Sequence, residues 1–201
     1  MTRLLAFGLA LLLAGCVTGF SLAPAGQPRV IAGSALVVIP PEPWNRLGSL
    51  VGPGKNAEQW TLDGTLLNDL TFYAGIEDNY PLFREVDRRD RPLPRFSATM
   101  LPPDVAALLE SSYRVAAGSA LFQMGEMAPA TFAGRPGFRF TYEYTIQGDE
   151  IRRKGEAIGA IVGDRLYLVT FEAPAIHYFD RDAPKARALI ATARLTNVAP
   201  S

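Results

Sequence analysis

Apolar and polar residues alternate strictly along 138–147. Phe138, Phe140, Tyr142, Tyr144 and Ile146 fall on one side of an extended chain, and Arg139, Thr141, Glu143, Thr145 and Gln147 fall on the other. A period of two marks a strand with one buried face. Gly148-Asp149 then turns the chain. A two-residue turn there pairs Tyr142 with Gly155, Phe140 with Ala157 and Phe138 with Gly159, so large rings lie over small neighbours. On the other face Glu143 meets Lys154 and Thr141 meets Glu156. Gly163-Asp164 makes the next turn, into 165–173, and sets Tyr167 opposite Ala160, Val169 opposite Ile158 and Glu172 opposite Gly155. Both faces of this sheet carry apolar groups, so both need cover.

Helical spacing supplies that cover. Val105, Leu108, Leu109, Ser112 and Ala116 repeat at the helical period within 103–118, with Pro103 and Asp104 suited to the first turn and Gly118 to the stop. Ala186, Leu189, Ile190 and Ala193 do the same within 183–195. Upstream, the run ALVVI at 35–39 is a buried strand stopped by Pro40-Pro41. Segments 58–62 and 65–74 flank Asp63-Gly64, which predicts a tight hairpin. The Pro-rich, charge-dense 75–103 reads as a surface excursion, and 17–33 has neither period. The predicted architecture is α+β: an α/β sandwich with a largely antiparallel sheet.

The chain opens on Arg3, an unbroken apolar run from Leu4 to Ala14, and Gly15-Cys16. That run is shorter than the roughly 20 residues a membrane-crossing helix needs, so it reads as a cleaved export signal. Leu13-Ala14-Gly15-Cys16 resembles the bacterial lipobox, which implies cleavage before Cys16 and lipid on its thiol. Cys16 is the one cysteine of the 201 residues, so an attachment point explains it better than a disulfide does. The chain thus divides into a signal peptide (1–15), a lipidated cysteine with flexible linker (16–33), one domain (34–195) and a tail (196–201). Val17 after Cys16 resembles lipoproteins sent to the outer membrane, which implies a domain facing the periplasm.

Charge narrows the partners. Lys and Arg total 20 against 20 Asp and Glu, so no net field favours nucleic acid. With 48% hydrophobic residues the chain is no disordered tether.

The Gly-Phe-rich strand, the Gly-Asp hairpin, the strand RLYLVTFEAP and the closing helix ending in ARL together resemble the PsbP/Mog-type α/β/α sandwich. Tyr167, Ala173, Pro174 and 183–195 stand where that fold has an apolar strand with an early Tyr, an Ala-Pro finish and a C-terminal helix. The resemblance spans mainly 134–195. It implies a fold, and a binding or assembly factor rather than a shared catalytic set.

The chemistry-bearing residues agree with that. His177, in Ala175-Ile176-His177-Tyr178-Phe179, is the sole histidine, with no second ligand of its kind for a metal and no nucleophile placed beside it. Ser111-Ser112 lies inside a predicted helix, without a nucleophile elbow. Glu172 falls on the ring-bearing face and needs a partner such as Arg153, unless a bulge turns it outward. Trp60 and Tyr73 on the first hairpin are candidate exposed binding aromatics, although rings in strands are more often core. No catalytic residue, metal or cofactor is predicted. The expected function is a lipid-anchored, non-catalytic binding or assembly factor that meets an envelope protein. The candidate binding residues are His177, Tyr178, Glu172, Arg153, Trp60 and Tyr73. A protein binding a small or lipid-like ligand, and an envelope hydrolase, are the alternatives.

Overall fold

A computed structural model describes residues 19–48 and 53–196. The export signal and Cys16 lie outside the described residues. The strands are β1 (Phe20–Ala23), β2 (Arg29–Val30), β3 (Leu36–Val38), β4 (Trp44–Leu47), β5 (Ala57–Thr61), β6 (Asp69–Ile76), β7 (Ser119–Phe132), β8 (Arg135–Ile146), β9 (Arg153–Val162), β10 (Arg165–Pro174) and β11 (Arg194–Leu195). The helices are α1 (Pro102–Ala116), between β6 and β7, and α2 (Tyr178–Ile190), between β10 and β11.

Eight strands form one antiparallel sheet in the order β1-β4-β5-β6-β10-β9-β8-β7. One face packs on α1 through Tyr73, Leu168 and the rings of Phe138, Phe140, Tyr142 and Tyr144. The other packs on α2 and the small sheet β11-β3-β2 through Trp60, Phe72, Val169 and Phe171. Central β6 is buried at every position because it is covered on both sides. The predicted register holds: Tyr142 pairs with Gly155, Phe138 with Gly159, Tyr167 with Ala160 and Glu172 with Gly155. The connection between β8 and β9 is longer than two residues, since the ladder ends at Tyr144 and Arg153.

Four boundaries differ from the sequence reading. First, residues 19–33 of the expected linker belong to the domain: β1 pairs β4, β2 pairs β3, and Ala23 and Ile31 are fully buried. Glu58 fastens this segment to the main sheet, accepting from the Ala32 backbone N–H at 2.6 Å and from Trp60 Nε1 at 3.0 Å. Second, Asp63-Gly64 makes no two-residue turn. A seven-residue loop joins β5 to β6, organised by Asn68, whose Oδ1 accepts from Thr61 Oγ1 and from the Leu62 and Asp63 N–H groups. Third, the 75–103 excursion is pinned, with Leu82, Leu93 and Phe96 buried. Fourth, α2 begins at Tyr178 rather than 183 and ends at Ile190, after which β11 pairs with β3.

The first difference makes a prediction. A chain beginning at Ser34 loses β1, β2 and the burial of Ala23 and Ile31. Burying one large aliphatic side chain alone contributes roughly 1.5–3 kcal/mol. Urea unfolding of that fragment should therefore show a midpoint well below that of a chain beginning at residue 16. Equal midpoints would restore the linker reading.

Candidate functional site

Three connections meet at one end of the sandwich. The 62–68 loop is tied to α2 by Asn68 Nδ2, which donates to Asp182 Oδ2 at 2.9 Å, and by the Arg181–Asp63 ion pair. It is tied to β9 by Arg153, whose Nη1 donates to the Leu66 carbonyl at 2.5 Å. The Ala175 N–H in turn donates to the Arg152 carbonyl at 2.8 Å, joining the β8–β9 connection to the segment before α2. Each of the three connections exposes one large aliphatic side chain: Leu66 (58%), Ile151 (47%) and Ile176 (86%).

His177 sits here, held in an unusual backbone. Its φ of 71° and ψ of −57°, with the Tyr178 N–H donating to the Ile176 carbonyl at 2.9 Å, make a γ-turn of the strained hand. Such conformations cost on the order of 1–3 kcal/mol and persist where the surroundings impose them. Its ring meets Tyr178 edge-on at 5.4 Å, and Tyr178 carries the Arg181 guanidinium over its face at 4.9 Å. Among the described residues no hydrogen bond reaches the imidazole, so no base-orienting partner is in place.

Beneath this end, on the α1 face, lies a polar cluster of buried tyrosines around the half-buried Glu172. Glu172 accepts from three tyrosines: Tyr113 on α1, Tyr142 at 3.1 Å and Tyr144 at 2.8 Å. The expected Arg153 partnership is absent, because Arg153 is spent on the Leu66 carbonyl and on Asp149 at 3.8 Å. Asp69 stands opposite Glu172 on β6. Burial pushes the Glu172 carboxyl up to about 7, and the Asp69 charge adds to this, outweighing the three hydroxyl donors that favour the carboxylate. Burial also raises Asp69. The same desolvation, with the charge of Glu172 next, keeps Tyr73, Tyr113, Tyr142 and Tyr144 as neutral donors.

Two candidate residues are corrected. Trp60 and Tyr73 are not exposed binding aromatics: each is core, 0% and 1% exposed, and they lie on opposite faces of the sheet. Alternation decides this, since Trp60 packs edge-on against Phe72 at 5.1 Å while Tyr73 points to α1. The structure therefore gathers Glu172, Arg153 and Tyr73 under the loop end on one face and His177 with Tyr178 on the other. The exposed tips Leu66, Ile151 and Ile176 escaped the sequence reading because single aliphatic residues in loops carry no period. No group of three potential metal ligands occurs among the described residues.

No protein-family profile matches the sequence, and a search of curated proteins gives no match. Solved structures do resemble it. Cyanobacterial PsbP (CyanoP) from Synechocystis superposes over 90% of this chain and 96% of its own, with a TM-score of 0.55 at 13% identity. The immunity protein TplEi from Pseudomonas aeruginosa (TM-score 0.40, 9% identity, 78% of this chain and 46% of its own) is more remote. So is LpqN, involved in cell envelope biogenesis of Mycobacterium tuberculosis (TM-score 0.33, 12% identity, 88% and 91%). Of these three, the likeness to CyanoP has a TM-score above 0.5 and bears on architecture. The fold is a PsbP-like α+β sandwich, a large antiparallel sheet between two helices.

Proposed function

We propose that this protein is a lipid-anchored envelope factor without catalytic activity, held by lipid on Cys16, that binds a protein partner through its loop end. One observation carries the reading: Leu66, Ile151 and Ile176 are exposed together on three connections that hydrogen bonds hold to one another. Exposed aliphatic groups gathered in this way favour an interface over open solvent. The direction of β1 supports the same assignment. Ala23 pairs with Trp44, and Asn45 pairs with Thr61 where the 62–68 loop begins, so β1 runs toward the loop end and is entered from behind it. Cys16 to Gly19 is four residues, about 14 Å at full extension. A lipid on Cys16 then holds the domain close to the membrane, with the loop end turned away from it. No helix among the described residues is long and apolar enough to cross a membrane.

A second reading has an observation of its own. A cleft of about 500 Å3 beside the end of α2, floored by Phe132, Ile158 and Ile190 and rimmed by the Arg187–Glu156 pair at 2.6 Å, suits a small amphiphile.

Two tests follow. Cys16→Ser should abolish acyl-label incorporation and release the protein from membranes, since each buried lipid methylene contributes about 0.8 kcal/mol to membrane binding. Label retained in that variant would remove the anchor. Replacing Leu66, Ile151 and Ile176 together by Ser should leave the melting temperature within a few degrees while abolishing stoichiometric co-purification of the partner. A partner retained by this stable triple variant would move the interface elsewhere, the α2 cleft being the next place to test.

A further inference from the structure

We propose that a basic cleft at the end of the sheet opposite the loops binds the phosphate of an anionic membrane lipid. The cleft, about 460 Å3, lies between the start of β5, the end of β6 and the pinned excursion. Lys55, Arg88 and Arg95 line it together with one carboxylate, Glu85. Glu85 is engaged already: Arg95 Nη2 donates to it at 2.8 Å, the Leu93 N–H at 3.3 Å, and Arg88 Nε faces it at 3.8 Å. Arg95 also donates to the Asn79 carbonyl at 2.8 Å, which fixes the floor of the cleft. The lining keeps a positive excess in a chain whose charges balance overall at 20 and 20. Such an excess selects an anion, and guanidinium groups suit phosphate because their paired N–H donors match two of its oxygens.

Position identifies the source of that phosphate. Lys55 stands at the start of β5 and Ile76 at the end of β6, the side from which the chain enters β1. Phe20 (40%) and Leu22 (59%) are exposed on that same edge strand. A tether of four residues from Cys16 brings this side to the bilayer, where apolar edge residues and a phosphate-binding cleft act together. The assignment of a lipid headgroup rests on the anchored reading, but the chemistry of the cleft does not require the protein to be lipidated.

The test uses the chain from residue 16 onward, which contains every described residue, carrying Cys16→Ser. Sedimentation with phosphatidylglycerol-containing vesicles is compared with pure phosphatidylcholine vesicles at low salt. Lys55→Glu with Arg88→Glu reverses two exposed cations of the cleft. Arg139→Glu with Arg152→Glu reverses two exposed cations elsewhere and matches the change in net charge. Anionic vesicles should capture the parent protein and phosphatidylcholine should not. The cleft variant should bind at least about tenfold more weakly, and the control variant within about twofold of the parent. Circular dichroism should show all three folded. Equal losses in both variants, or no capture by anionic vesicles, overturn the proposal. Binding of inorganic phosphate at the cleft without vesicle capture overturns the headgroup assignment. Because lipidation plays no part, failure here is separable from failure of the Cys16 test.

Discussion

Gly155→Val should destabilise the domain by about 3 kcal/mol or more, the upper range for overpacking a close-packed site. A Cβ at Gly155 would stand 2.2, 2.3 and 2.6 Å from ring atoms of Tyr142, well inside any real contact. Tyr142 cannot retreat easily. Its ring stacks on Phe122 at 5.1 Å, is 6.0 Å from Tyr113, and its hydroxyl is held by Glu172. Chemical denaturation should show a lowered midpoint with an unchanged slope. If the ring collision is the cause, Tyr142→Ala in the same chain should cost less than in the parent, because it removes the obstacle. Strict additivity of the two changes would place the cause elsewhere.

The second large effect is a pH dependence set by Glu172. Its folded pKa of about 7 stands above the ordinary glutamate value of 4.5. Between those values the folded state binds more protons than the unfolded state, so stability falls as pH rises through this window and is level outside it. Raising the carboxyl from 4.5 to about 7 corresponds to about 3 kcal/mol. Asp69, raised in the same direction, adds to the fall. Glu172→Gln keeps an oxygen to accept from the tyrosines and has no charge to desolvate. The variant should lose most of the decline between pH 5 and 8 and should be the more stable protein at pH 8. Parallel stability curves for parent and variant would show that the three hydroxyl donors fully offset burial.

Why the α1-face cluster was half legible follows from geometry. Strict alternation in 138–147 and the two-residue Gly163-Asp164 turn anticipated the register of β8, β9 and β10, although 147–152 connect β8 to β9 in place of a two-residue turn. That register put Glu172 on the same face as Tyr142 and Tyr144. The third donor could not be seen: Tyr113 comes from a helix, and nothing in local periodicity relates a helix position to a strand 59 residues away. Elsewhere the period failed for identifiable reasons. Strand β7 is 14 residues long, but register shifts between Ser119 and Leu121 and between Met124 and Met127 break its alternation. Strands β1 and β2, of four and two residues, are too short to display one. Asp63-Gly64 promised a turn that the Asn68 side chain replaced with a wider loop. Helix α2 starts five residues before the expected 183, out of a His177 conformation that ordinary propensity disfavours.

The most direct test of the account is photo-crosslinking in intact cells, with a crosslinker placed singly at positions 66, 151 and 176 and, as a control, at Tyr80, which is 45% exposed and stands beside Ile76 at the opposite end of the sheet. The account predicts one discrete protein adduct, common to all three loop positions and missing from the control. Adducts to lipid alone from the loop positions, or the same protein adduct from position 80, would contradict it.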